Sequence, residues 1–268
     1  MISVLPGLLS IALYLLASGL LMMRLSRGSS SSMQRLDQPI LIALTAILVH
    51  AVILYPEVFT PTGLNLGFVY AASLVTLTSA LLLAVSALFQ PVGNLGIILF
   101  PVAAATIGLL LAYPDGHLLT DSSWQLDMHI LCSLLAYSIL VLAVLQAILL
   151  SIQDRHLRNR QPGGFIRALP PLAVMESLLF QMIATGFTLL TLALVTGILF
   201  LEDIFAQQLV HKTTLSIIAW IVFGILLWGR WRFGWRGRTA LRWTIGGFVF
   251  LMLAYFGSKF VLELVLAR

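Results

Sequence analysis

Two histidines, His50 and His129, lie inside long apolar runs of this 268-residue chain. An ionisable group in hydrocarbon is costly, so such a residue is a functional candidate by default. His50 stands five residues before Tyr55, and His129 five residues after Trp124, where those aromatics mark the outer ends of their runs. At 1.5 Å per helical residue, both imidazoles lie about 7 Å below the outer interface. Imidazole is a common ligand for haem, zinc and copper, so two at one depth on different helices could clamp a metal or a haem iron from opposite faces. The other reading is interhelical glue, each ring hydrogen-bonded to a neighbouring helix. Cys132, one turn from His129, could join it as a ligand or serve as a small core residue.

The other ionisable residues in or beside the runs are Asp127, Glu176, Lys259 and Glu263. Lys259 and Glu263 are four apart and can pair or snorkel, which is a structural role. The loops on the outer side hold Glu57, Asp115, Asp121, Asp127, Glu202 and Asp203, together with His117 and His211. These acids either solvate the loops or form a site for a hard divalent cation. Their spacing follows no metal motif. His156 sits among arginines and reads as solvated. No phosphate-cradling Gly-rich loop, nucleophile elbow, CxxC, CxxCH or HExxH occurs. Matched halves with broken helices, the mark of many secondary transporters, are not evident.

What must position these residues follows from composition. Hydrophobic residues make up 60% of the chain and charged ones 9%, with a mean hydropathy of +1.04. A soluble domain carries roughly 25% charged residues, so this chain could not cover a water-facing surface. It reads as an all-α, polytopic membrane helix bundle in the lipid bilayer. About 20 apolar residues cross a bilayer, and eight runs qualify, at 3–23, 39–55, 67–89, 95–112, 126–151, 177–201, 213–229 and 243–265. No connection is long enough for a separate domain, so residues 1–268 form a single integral membrane domain in this reading.

A net charge of +5 with a pI near 9.8 would suggest nucleic acid in a soluble chain. Sorted by loop, twelve of the fifteen Lys and Arg residues fall in the connections after the first, fifth and seventh runs. Only Lys212, Lys259 and Arg268 fall on the other side. The positive-inside rule makes the arginine-rich side cytoplasmic and puts both termini outside. The basic charge is thus topological, touching anionic headgroups rather than nucleic acid. The first run has no basic residue before it and exceeds a signal-peptide core, so it reads as a retained helix. Ser29–Ser32 read as a short linker. Gly186, Thr196, Gly197, Gly246 and Gly247 would let helix backbones approach closely, and the tryptophans would form an interfacial belt. Gly63 and Gly67 form a lone GxxxG, to be read as a dimer face or as a loop turn with internal packing.

The C-terminal half carries a recognisable series of blocks. They are Met128-His129-Ile130-Leu131 with Ser133 to Tyr137, Pro170-Pro171-Leu172 with Met175-Glu176-Ser177, and Gly186 to Gly197. Leu215 to Trp220, Gly234-Trp235-Arg236-Gly237-Arg238 and Leu253 to Ser258 follow. Across about 140 residues this resembles the integral-membrane cytochrome c assembly family, the CcsA/HemX-like proteins, and most closely its YpjD-type inner-membrane branch. The first four runs share only its hydropathy. The resemblance implies a multi-pass protein of the bacterial cytoplasmic (inner) membrane that binds or handles haem on the outer side, linked to cytochrome c maturation or haem biosynthesis. It implies haem b as cofactor, with His129 at the outer haem site and His50 as a second family-type histidine.

Haem-lyase members of that family carry a tryptophan-rich signature in the outer loop before the penultimate helix. Here residues 201–212 read LEDIFAQQLVHK, without tryptophan. A further outer histidine expected beyond the last helix is also missing, and His211, or less directly His117, would have to substitute. The expectation is therefore an accessory or regulatory haem-binding protein, not a lyase and not clearly an enzyme, with His50 and His129 as axial ligands. The alternative is a non-enzymatic subunit that regulates a membrane transporter, for instance one for divalent metal, and so has another membrane protein as partner.

Overall fold

Among the described residues the computed structural model has eight helices long and apolar enough to cross a membrane, one at each of the apolar runs. The structure describes residues 4–26, 37–61, 63–113, 118–119, 124–159, 163, 166, 168–200 and 207–257. His117, Lys259 and Glu263, the Ser29–Ser32 tract and the acids Asp115, Asp121, Glu202 and Asp203 lie outside the described residues. The helices are α1 (Val4–Ser26), α2 (Gln38–Val58), α3 (Phe68–Ala87), α4 (Gly96–Ala112), α5 (Trp124–Arg158), α6 (Leu172–Phe200), α7 (Gln207–Phe233) and α8 (Gly237–Met252). Such runs form helices because no backbone N–H or C=O can be left without a partner in lipid.

Several helices outrun their hydropathy. α5 continues past residue 151 through Gln153, Asp154, Arg155 and Arg158, with an Arg158–Asp154 pair one turn apart at 3.0 Å. α6 begins directly after Pro170–Pro171, residues that cannot continue a helix from upstream but are tolerated at its start. α8 passes into a π-helical turn at Leu253–Gly257.

One element was not foreseen. Three very short strands, β1 (Phe59–Thr60), β2 (Gly63–Asn65) and β3 (Leu118–Leu119), form an antiparallel sheet in the order β1-β2-β3. Phe59 pairs with Leu64, and Leu64 with Leu119. Gly63 sits in this hairpin with φ 140°, and Gly67 precedes the first residue of α3. The GxxxG is therefore a turn element rather than a helix face.

The chain divides into two compact units. The first comprises residues 1–120 and 152–174. In it α1 packs on α2 and α4, and α3 packs on the same two helices. Its core includes Tyr14, Leu83, Leu99, Phe100 and Ile107, all buried. Buried hydroxyls stitch these helices together: Ser10 donates to Ala46 O at 3.0 Å, Ser18 donates to Ile97 O at 2.9 Å, and Thr76 and Thr106 are bonded at 2.8 Å.

The second unit comprises residues 121–151 and 175–268. Its described helices run alternately up and down. The end of α5 meets the start of α6 where Gln146 Nε2 donates to Met175 O at 2.9 Å. α7 lies along α6, with Trp220 Nε1 donating to Thr191 Oγ1 at 2.8 Å and Phe187 stacked on Trp220. α8 packs on α7, and the Tyr137 hydroxyl of α5 donates to Leu251 O. Gly186 and Gly247 are close-approach positions: an added Cβ would lie 2.7 Å from Leu140 and 2.9 Å from Phe223 respectively. Gly246 meets nothing within 4 Å, so its small size is not used for packing.

Candidate functional site

His50 belongs to the first unit and His129 to the second, and their surroundings differ. His50 is fully buried on α2. Its Nε2 lies 2.8 Å from Ser73 Oγ on α3, and its Nδ1 lies 3.3 Å from the Tyr14 hydroxyl on α1. The Tyr14 ring stands edge-on at 5.9 Å. A neutral imidazole has one donor and one acceptor nitrogen. Whichever tautomer is present, both are engaged, and His50 joins three helices in the seam of buried hydroxyls described above.

His129 sits in the second turn of α5 and is only half-buried. Its Nδ1 lies 2.8 Å from the Ala193 carbonyl of α6. A carbonyl can only accept, so Nδ1 carries the proton and donates. In the neutral ring Nε2 then holds a lone pair, and it has no hydrogen-bond partner among the described residues. Thr196 Oγ1 is 3.5 Å from Nδ1 and bonds back to Leu192 O and Ala193 O, which closes that side of the ring. A backbone acceptor on one nitrogen, fixing the ring with the other nitrogen available, is how metal-binding histidines are held. Imidazole nitrogen is one of the donors that haem iron accepts, and His129 offers one. His50 fits only if it gives up Ser73 or Tyr14.

The remaining candidates are placed as follows. His211 is exposed in the first turns of α7. It precedes Trp220 by nine residues, which at 100° each is half a revolution, so it faces away from the side that meets α6. Cys132 is buried beside the site. Asp127 is exposed at the start of α5. Among the described residues no three His, Cys, Asp or Glu side chains gather where they could hold a metal ion.

Sequence reasoning missed the role of Glu176. Its carboxylate, at the start of α6, takes Arg230 Nη1 of α7 at 2.6 Å and Arg236 Nε at 3.5 Å. Arg230 also donates to Trp235 O at 3.2 Å and stands 4.5 Å over the Phe180 ring. Gly234 (φ 66°) and Gly237 (φ 52°) supply the left-handed backbone that turns the chain between α7 and α8. The Trp235 ring then lies directly on Gly229, where a Cβ would collide with it. The GWRGR block is thus a structural corner that fixes α6, α7 and α8 at the end opposite His129. An acid at 176 with arginines at 230 and 236 was the available signal, but pairing across 54 residues needs the fold.

Residues 38–266 match the family described as cytochrome C assembly protein. The chain is 34% identical over 233 residues to the inner membrane protein YpjD of Escherichia coli K12, covering 84% of this chain and 87% of that one. It is 27% identical over 165 residues to the cytochrome c biogenesis protein CcsA of Prochlorococcus marinus MIT 9515, about half of each chain (52% and 51%). Protein HemX of Brevibacillus brevis is 22% identical over 131 residues, 48% of each chain. No solved structure matches. A helical bundle of this kind, with these relatives, is a multi-pass protein of the bacterial inner membrane. The chain belongs to the cytochrome c assembly family.

Proposed function

We propose that this chain binds haem b through His129 and serves cytochrome c assembly as an accessory or regulatory protein, not as a haem lyase. The observation that carries the reading is the Nδ1 bond to Ala193 O, which leaves Nε2 of a half-buried ring as a free donor. Family membership supports it, since a relative covering half the chain is named for cytochrome c biogenesis. Bound haem would supply a redox-active iron, and His129 Nε2 would be a residue that holds it. The chain's own part is to hold that imidazole in one tautomer and orientation at the outer end of α5, with both termini outside. The absence of tryptophan from residues 201–212 supports an accessory role, because a surface that presents haem for covalent attachment needs stacking area beside the ligand. Such a role implies another membrane protein as partner.

The test is optical. Protein purified in mild detergent from haem-supplied cells should show a Soret band, and His129→Ala should lose it while remaining monodisperse and helical by circular dichroism. A colourless protein that takes up no added haemin removes the reading. Deleting the gene should lower c-type cytochromes without abolishing them. Complete loss, the result a lyase requires, would count against the accessory role.

A further inference from the structure

We infer that the α7–α8 corner of the second unit is a binding site for an anionic phospholipid. From Trp228 to Trp243 the chain places four tryptophans and five arginines within 16 residues, with no acidic residue. The carboxylate that reaches this corner, Glu176, is taken by Arg230 and Arg236. Arg232, Arg238 and Arg242 are exposed and have no carboxylate partner among the described residues. Arg238 and Arg242 are four apart on α8 and so share a face. Arg232 closes α7, its guanidinium 5.8 Å from the Phe233 ring.

Around Arg232 stand exposed aromatics, Trp231 at 81%, Phe233 at 59% and Trp228 at 55%, and Phe233 leads through Trp235 to Trp243, the neighbour of Arg242. Trp228 and Trp231 lie in the last turns of a membrane-crossing helix, the level at which tryptophan meets headgroups. The chemistry is therefore double. Guanidinium groups match a phosphate with paired N–H donors, and the rings beside them suit the glycerol and upper acyl region. A free phosphate would use only the first of these, whereas a phospholipid uses both. The corner is also rigid in advance. Gly234 and Gly237 fix the turn, Trp235 is seated on Gly229, and Trp235 and Trp243 lie 5.4 Å apart. Little loop freedom is then lost on binding.

The test uses the full chain in zwitterionic nanodiscs doped with phosphatidylglycerol, read by native mass spectrometry of retained lipid and by thermal melting with added short-chain lipid. Phosphatidylglycerol should be enriched over phosphatidylethanolamine by about tenfold or more, since each basic residue near a surface is worth about fivefold. Arg238→Gln with Arg242→Gln should remove most of that enrichment. Trp231→Ala, which leaves all charges in place, should weaken phospholipid binding but not the response to inorganic phosphate. Equal retention of both lipids by the wild type overturns the proposal, as does undiminished enrichment in the arginine variant. If inorganic phosphate raises the melting temperature as much as the lipid does, the ligand is a free anion and the lipid assignment falls. Should the double variant not fold, Arg232→Gln and Trp231→Ala singly decide between the same outcomes.

Discussion

The two units hold one conspicuous histidine each, and the contrast between them carries the account. His50 is wholly enclosed, with a hydroxyl on each nitrogen. His129 is half open, with a backbone carbonyl on one nitrogen and nothing described on the other. In sequence they look equivalent: each is an imidazole in an apolar run, five residues from the aromatic that marks the run's outer end. Burial alone does not mark a ligand. What decides is whether the fold consumes both nitrogens or consumes one and presents the other. By that measure the first unit uses its histidine as a joint between α1, α2 and α3, and the second leaves one nitrogen of its histidine available for the proposed ligation.

This contrast can be broken from several directions. The largest effect should come from the second unit's ionic corner. Glu176→Gln leaves Arg230, a part-buried cation, without its carboxylate, and losing such a charge-assisted bond costs up to about 3 kcal/mol. The melting temperature should fall, and haem occupancy should fall only in step with the loss of folded protein. Gly229→Val drives a side chain into the Trp235 ring and should cost about 2 kcal/mol by overpacking, checked in the same melt.

His50→Phe removes the partner of Ser73 and Tyr14 from a buried site and should cost about 1–2 kcal/mol. Its haem spectrum per folded molecule should equal that of the wild type. A lost Soret band here would erase the distinction between the two histidines. Thr196→Val is the finest probe, because Thr196 touches His129 Nδ1 only at 3.5 Å. Stability should change by under about 0.5 kcal/mol, with the haem band retained.

The eight crossings were legible because length and hydropathy suffice to define them. Their ends were not, since α5 continues as a polar helix once it leaves the apolar stretch, and the prolines at 170 and 171 start α6 earlier than hydropathy suggests. The three-stranded sheet escaped notice because strands of two or three residues leave no alternation to read. At the candidate site the ligand residue was legible and its state was not. The partner of His129 is a main-chain carbonyl 64 residues away, and carbonyls have no sequence signature. Ser73, which occupies His50, is one of many serines in apolar helices and gained its meaning only from the packing of α2 on α3. The GWRGR block was visible as a family mark, yet its function as a glycine-turned corner over Gly229 depends on backbone angles and a ring contact.

The most direct test replaces each histidine with glycine and supplies free imidazole. In His129→Gly the Soret band should vanish and return when imidazole fills the space left by the ring, since Nε2 of that ring is the proposed ligand. In His50→Gly the band should persist without imidazole. The account is contradicted if His129→Gly keeps an unchanged haem spectrum, or if His50→Gly loses haem and imidazole restores it.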